Sequence, residues 1–125
     1  MIDTPFTELV IRTLCHDCLS LFTGIGGLYL GLEAAGFDHT IGVEIDEFAC
    51  KQLRLKKGWD VLSEPIERLS SSELQERANV REGDVDLLAG GPPCQPFSKS
   101  GFWHSGSYRR LEDPRAITLV EYLRV

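Results

Sequence analysis

The chain has 125 residues, 42% of them apolar and 26% charged, the profile of one globular domain with an adequate core. Its formal net charge of -6 is the opposite of a free-standing nucleic-acid binder's, so any nucleic-acid contact needs basic surface supplied from elsewhere. No run approaches the roughly 18 apolar residues that span a bilayer, and a start carrying Asp3 and Glu8 lacks the basic and apolar regions of a signal peptide. The expected location is therefore the cytoplasm, with no membrane partner.

Residues 1–14 have mixed patterning and form an unassigned N-terminal extension. Cys18–Phe22 is a short apolar run that stops at Thr23-Gly24-Ile25-Gly26-Gly27, which reads as a buried strand followed by a glycine turn. Leu28, Leu32 and Ala35 then fall on one helix face, and Gly36 supplies a C-terminal cap. Thr40–Ile45 is a second strand by its β-branched content. Asp46 is placed to cap a helix that carries Phe48, Ala49 and Leu53 and is closed by Gly58. Asp60–Leu62 is a weak third strand. Ser70 and Glu73 match a capping box, so a short helix runs to about Ala78. Asp84–Ala89 is a fourth strand ending at Gly90-Gly91. From Pro92 to Glu112 there is no periodicity, and a loop this long inside a compact domain is more often functional than passive. Asp113-Pro114 opens a last helix with Ile117, Val120 and Leu123 on its apolar face. Strands alternating with helices through short connections favour parallel strands, so the fold class is α/β, a doubly wound, Rossmann-like sheet.

Four cysteines are present, Cys15, Cys18, Cys50 and Cys94, too few and too scattered for a disulfide framework. Cys15 and Cys18 form one CxxC, but a structural zinc site needs four ligands, and the spacing to His16 and Cys50 fits no finger or ribbon. No metal is expected.

Two segments carry chemistry. In a doubly wound sheet, ligands bind at the carboxyl ends of the strands. The glycine turn is therefore the prime site, because glycines let backbone approach a ligand closely. Glu44 follows Gly24 by 20 residues, at the end of the second strand, where an acid accepts hydrogen bonds from ribose hydroxyls. A dinucleotide fingerprint would place a third glycine at position 29, which is Tyr29. That argues for a nucleotide without a pyrophosphate; the plain alternative is a tight strand–helix corner. The second segment is Gly90-Gly91-Pro92-Pro93-Cys94-Gln95-Pro96-Phe97-Ser98. Prolines on both sides of Cys94 stiffen the loop, and a rigid loop holds a sulfur at fixed geometry against a target. Cys50, by contrast, reads as a buried structural cysteine.

Taken together and in this order, Phe22–Gly27, Glu44 and Gly91–Ser98 resemble the cytosine-C5 DNA methyltransferase family, over the stretch from about Cys18 to Arg115. The Pro-Pro-Cys-Gln block is highly specific; the glycine turn is specific in combination with it. The resemblance implies the S-adenosyl-L-methionine-dependent methyltransferase fold and transfer of a methyl group from S-adenosyl-L-methionine to C5 of cytosine in DNA. It makes Cys94 the nucleophile, adding as thiolate to C6 of a flipped-out cytosine. By the same similarity Phe22, Thr23, Gly24, Ile25, Gly26, Gly27, Ile45, Ile66 and Pro92 line the cofactor and Glu44 holds its ribose. Gln95, Ser98, Lys99, Ser100 and Arg115 belong to the DNA-contacting loop, with Arg109 and Arg110 as further phosphate contacts. Their alternative is an ordinary solvated face. The family commonly has an Asp before the Ile at position 66; here the run is Glu64-Pro65-Ile66, which leaves the partner of the adenine amino group open. Phe102 and Trp103 also depart from the pattern.

The resemblance makes residues 15–125 the N-terminal part of a catalytic domain, an incomplete fold. The glutamate that pairs with the cytosine edge, the target recognition domain and the C-terminal cofactor segment have no counterpart among them. The chain alone is expected to be inactive, and a complementing C-terminal chain is an expected partner besides DNA, in a restriction–modification setting. Three alternatives stand beside this reading: the non-catalytic half or remnant of a split enzyme, a transfer-RNA cytosine-C5 methyltransferase, and a nicotinamide or redox enzyme using Cys94 and the CxxC.

Overall fold

The computed structural model describes residues 16–94 and 114–125; expectations for Cys15, Gln95, Ser98, Lys99, Ser100, Phe102, Trp103, Arg109, Arg110 and Asp113 lie outside the described residues. Four strands pair in parallel in the order β3-β2-β1-β4: β1 is His16–Leu21, β2 Phe37–Glu44, β3 Val61–Ser63 and β4 Leu87–Gly90. Helix α1 spans Gly27–Ala34, α2 Glu47–Lys57, α3 Ser71–Ala78 and α4 Ile117–Arg124.

β1 is central, and Cys18 through Leu21 are all buried, as a strand covered on both faces requires. Successive side chains point to opposite faces. Leu19 and Leu21 join Ile41, Val43, Ile66, Leu69 and Leu74 in the main core, to which α3 brings Leu74 and α4 brings Tyr122. Cys18 turns the other way and meets His39, whose ring stacks on Tyr29 of α1. On that face α2 adds Cys50 and Leu53, packed with Val61 and Trp59. Helices therefore cover both faces, the doubly wound arrangement. The β1–β2 register slips between Cys18 and Leu19, and the hydroxyl of Thr40 donates to the Cys18 carbonyl at 3.0 Å at the slip.

Local signals match the structure closely. Asp46 caps α2 by accepting the Ala49 amide at 2.7 Å, and Gly58 ends the helix at φ 64°. Ser70 and Glu73 exchange the two hydrogen bonds of a capping box at the start of α3. Strand limits move by a few residues. β2 begins at Phe37 rather than Thr40, β3 spans Val61–Ser63 rather than Asp60–Leu62, and β4 begins at Leu87 rather than Asp84. Asp84 is used earlier, accepting the Arg81 amide at 2.9 Å in the turn that precedes β4.

Two expected helix faces, of α1 and α4, are corrected, and in α2 only Phe48 of the apolar residues named falls on the exposed side. In α1 the buried residue is Tyr29, whereas Leu28 and Ala35 are exposed and Leu32 is half-buried. The cause lies across the interface: Gly42 of β2 has no Cβ, and a Cβ there would sit 3.3 Å from the Tyr29 hydroxyl, so the large ring fills the hollow and sets the rotation of the helix. In α2 the buried stripe is Ala49, Cys50 and Leu53, and Phe48 is 69% exposed because it falls off that stripe at 100° per residue. In α4, Ile117, Val120 and Leu123 are all exposed, and Tyr122 and Val125 pack on the main core instead.

Candidate active site

The C-terminal ends of the four strands line up along one edge. Leu21 pairs with Gly90 and Val43, and Glu44 pairs with Ser63. The glycine turn leaving β1 is thus flanked by the loop leaving β4, which carries Cys94, and by the turn leaving β2, which carries Glu44.

The first turn begins with Phe22 at φ 56°, a left-handed conformation rare for a bulky residue, which costs on the order of 1–3 kcal/mol and must be imposed by the surroundings. The Thr23 amide next to it donates to the Val43 carbonyl at 3.3 Å. The Thr23 hydroxyl is buried and engaged, 2.9 Å from Ser20 Oγ and 3.2 Å from the Val43 carbonyl. Thr23 therefore stitches the turn to β1 and β2. Gly26, at φ 89°, faces inward too: a Cβ there would lie 2.5 Å from Leu53 Cδ2 and 2.9 Å from the Trp59 ring, so this glycine allows α2 to pack close. Gly24 and Gly27 have open space where a Cβ would be, and Ile25 is 79% exposed. The six turn residues thus divide into an inward, structural pair and an outward set available to a ligand.

Glu44 has a structural task of its own. Its Oε2 accepts the Gly24 amide at 2.6 Å and its Oε1 accepts the Asp46 amide at 2.9 Å, tying the two turns together. Each carboxylate oxygen keeps a further lone pair for another donor.

Beside these turns lies a shallow cleft of about 100 Å³, open to solvent, too small to enclose a whole cofactor and able to seat only part of one. Phe22 and Val43 give it an apolar floor; Ile45, Pro65, Ile66, Pro93 and Thr118 form walls; Glu44, Glu64 and Glu67 rim it. Of the residues the sequence singled out, Phe22, Glu44, Ile45 and Ile66 meet here, while Pro92 is half-buried and its neighbour Pro93 reaches the cleft. Val43, Glu67 and Thr118 were not anticipated. Thr118 sits one turn beyond Pro114, and its hydroxyl donates to the Arg115 carbonyl at 2.8 Å; the one sequence signal was a polar residue among the apolar positions of that helix. Glu64 pairs with Arg77 of α3 at 3.5 Å, which draws its charge toward the helix. Three carboxylates around an apolar floor suit a flat, uncharged base with a cationic group nearby and would repel a phosphate. The donor set therefore fits the nucleoside-plus-sulfonium character of S-adenosyl-L-methionine better than that of a dinucleotide.

Three described cysteines differ sharply. Cys94 is exposed, one residue beyond the cleft-lining Pro93; Cys18 and Cys50 are buried. Burial, reinforced by the charges of Asp17 and Asp38, pushes the Cys18 thiol up to about 11. His39 is held below the usual imidazole value by burial. Its Nε2 lies 3.0 Å from the Tyr29 carbonyl and must donate, so Nδ1, 3.0 Å from Cys18 Sγ, accepts a hydrogen bond from the neutral thiol. This buried pair is a structural, unreactive one. The Cys50 thiol donates to the Glu44 carbonyl at 3.4 Å. Among the described residues no group of three His, Cys, Asp or Glu side chains is arranged to hold a metal ion, and no helix is long and apolar enough to cross a membrane.

Known proteins resemble this chain in sequence and fold. The family described as C-5 cytosine-specific DNA methylase matches residues 16–125. The chain is 38% identical over 108 residues to the Type II methyltransferase M.AquIA of Picosynechococcus sp., covering 86% of this chain and 42% of that protein. It is 39% identical over 110 residues to M.PspPI of Psychrobacter sp., covering 87% of this chain and 24% of that protein. Among solved structures, a DNA modification methyltransferase encoded within an E. coli prophage superposes with a TM-score of 0.66 at 28% identity, over 87% of this chain and 28% of the other. The chain thus spans from about a quarter to two fifths of the length of these relatives.

Proposed function

The chain belongs to the C-5 cytosine-specific DNA methylase family, and from that premise we propose that it is the cofactor-binding, nucleophile-bearing part of a DNA (cytosine-5-)-methyltransferase. The observation that carries the reading is the pairing of Leu21 with Gly90. It launches the glycine turn and the Cys94 loop from neighbouring strand ends, and Phe22 and Pro93 line one cleft.

When bound, S-adenosyl-L-methionine supplies a methyl group on a positively charged sulfur. Glu44, its carboxylate already fixed by two amides, would accept the ribose hydroxyls on its remaining lone pairs. Phe22, Ile45, Pro65 and Ile66 would enclose the adenine between apolar surfaces. The backbone at Gly24 and Gly27, open on the ligand side, would allow close approach. Pro92 and Pro93 restrict the backbone before Cys94 and so limit where its sulfur can lie. The Cys94 thiolate would add to C6 of a cytosine turned out of the duplex, forming a sulfur–carbon bond and placing electron density on C5, the position to be methylated. Once C5 has taken the methyl group, leaving S-adenosylhomocysteine, the C5 proton would pass to water, its bonding pair would restore the C5–C6 double bond, and the C6–sulfur bond would break with its pair on sulfur, regenerating the Cys94 thiolate. Lys99, Arg115 and the other loop cations would contact phosphates, and a net charge of -6 implies that most of the basic DNA-binding surface lies outside these 125 residues.

The partial coverage of the relatives supports a requirement for a complementing C-terminal region, so these 125 residues alone should transfer no methyl groups. The Type II names of both relatives support a restriction–modification setting, in the cytoplasm. The deciding measurement is titration calorimetry of the 125-residue chain with S-adenosyl-L-methionine and, separately, NADH. Selective binding of the first supports the reading. Equal binding of both, or of NADH alone, favours a nicotinamide enzyme and sinks it.

A further inference from the structure

Helix α4 has no fully buried residue, yet two side chains fasten it at two different points of the site. Tyr122 donates from its hydroxyl to the Leu88 carbonyl at 3.1 Å, in β4. Its ring lies 2.8 Å from where a Cβ on Gly90 would be, and the Leu21 carbonyl oxygen is 2.5 Å from the same point. Gly90 is therefore pinned between β1 and α4, and the Cys94 loop departs from it.

Arg124 reaches in another direction. Its Nη2 donates to the carbonyls of Leu69 at 2.6 Å and Ile66 at 3.2 Å, its Nη1 to Ser71 Oγ at 3.1 Å, and its Nε to Glu121 at 2.5 Å. Ile66 and Leu69 bracket the 3-10 turn that forms one wall of the cleft. Hydrogen bonds from a charged donor are among the stronger ones, and a single nitrogen of this guanidinium, Nη2, serves two neighbouring carbonyls of the chain while Nη1 holds the Ser71 hydroxyl. Thr118, one turn earlier on the same helix, lines the cleft together with Pro93.

Resting on the function proposed above, we propose that α4 is a strut that sets the distance between the cofactor wall and the nucleophile loop, with Arg124 and Tyr122 as positioning residues for methyl transfer. The wall at Ile66 and the loop at Gly90 belong to segments more than twenty residues apart in sequence and are not hydrogen-bonded strand neighbours. One rigid helix bonded to both converts two independent edges into one frame. Misplacement of reacting groups by about 1 Å costs on the order of a hundredfold in rate, so such a frame matters to the chemistry beyond its contribution to stability.

The two bonds predict separable effects in the 125-residue chain. Arg124→Gln removes the charged donors from the wall. Amide exchange at Arg68 and Leu69, whose N–H groups close the 3-10 turn at 3.0 and 3.2 Å, should quicken about tenfold or more, the loss expected for a charged hydrogen bond. S-adenosylhomocysteine, used as the probe, should bind about tenfold more weakly, while alkylation of Cys94 by iodoacetamide, read by mass spectrometry, stays within about twofold. Tyr122→Phe keeps the ring but frees the Leu88 carbonyl; it should change the Cys94 alkylation rate about threefold or more and leave probe affinity within about twofold. A merely structural role predicts instead that both variants quicken exchange throughout β1 and shift the two readouts together. Unchanged exchange at Arg68 and Leu69 in Arg124→Gln would overturn the strut. If the native chain binds no S-adenosylhomocysteine, the cofactor reading fails, and the exchange and alkylation measurements still decide the role of α4.

Discussion

The Gly24 amide and the Glu44 carboxylate are joined by a hydrogen bond of 2.6 Å, so the acid at the end of β2 is locked onto the turn at the end of β1. The same side chain that offers lone pairs to a ligand also fixes the shape of the surface that receives it. On the proposed function, cofactor binding and local stability meet at this one residue.

Replacing that acid should separate the two roles. Glu44→Gln keeps an oxygen for one amide and turns an N–H₂ group toward the other, leaving a donor facing a donor. A loss of about 1–2 kcal/mol in unfolding free energy is expected from urea titration. Glu44→Ala removes both acceptors and should cost about 2–3 kcal/mol. In both variants S-adenosyl-L-methionine binding should weaken by at least about tenfold. An affinity equal to the native chain's would remove Glu44 from the ribose site.

The glycines of the first turn should respond unequally to alanine. At Gly26, with φ 89° and a Cβ position 2.5 Å from Leu53, strain and collision combine, and Gly26→Ala should destabilise the fold by about 2–4 kcal/mol. Gly24, at φ 58°, has open space at its Cβ position, so Gly24→Ala carries only the conformational cost of about 1 kcal/mol. Its main effect should fall on cofactor affinity. Thermal melts in which the two variants lose the same stability would refute the division of the turn into packing and ligand-facing positions.

Stability should fall at both ends of the pH range through the Cys18–His39 pair. The folded state holds the Cys18 proton more tightly than the unfolded state does. Its contribution is therefore complete below pH 9 and is lost as pH rises from 9 toward about 11, a difference on the order of 2–3 kcal/mol. For His39 the sign is reversed. Burial lowers its pKa below 6.5, so the neutral ring's contribution is complete above pH 6.5 and is lost as pH falls from there toward the folded value. Urea titrations at a series of pH values test both limbs. Cys18→Ala should flatten the alkaline one and His39→Gln the acid one; limbs that persist unchanged in these variants place the titration elsewhere.

Cys94 should behave as a functional thiol with no part in holding the fold. It is exposed, so Cys94→Ser should leave the unfolding free energy within about 0.5 kcal/mol of native. Once the chain is combined with whatever region completes the enzyme, the same variant should form no covalent complex with DNA containing 5-fluorocytosine, a base that traps the adduct because C5 carries no proton to lose. A stable adduct with the serine variant would refute the assignment of the nucleophile.

Much of the site was legible because its signals are local. The Asp46 cap, the Ser70–Glu73 capping box, the left-handed glycines and the proline-bound Cys94 are each satisfied within a few residues of chain, so residue order alone carries them. The parallel order of the strands followed from their alternation with helices. Other features depended on atoms far away in sequence. Tyr29 was not distinguishable from Leu28 until the missing Cβ of Gly42 supplied a hollow for its ring. Thr118 and Pro93 entered the cleft, and Ile117, Val120 and Leu123 stayed exposed, because Tyr122 and Arg124 found partners on β4 and beside the 3-10 turn.

By itself the sequence determined where most helices begin and end, the glycine turn after the first strand, and which turn and which sulfur to propose for cofactor and substrate. The tertiary structure alone decided which face each helix buries, that Gly26 serves packing whereas Gly24 and Gly27 face open space, and that one helix is bonded to both β4 and the 3-10 turn. The reason is range: a cap or a turn is closed by backbone groups about four residues away, whereas a helix's rotation is set by the hollows of whatever surface it lands on, and those are made by residues that sequence order does not place together.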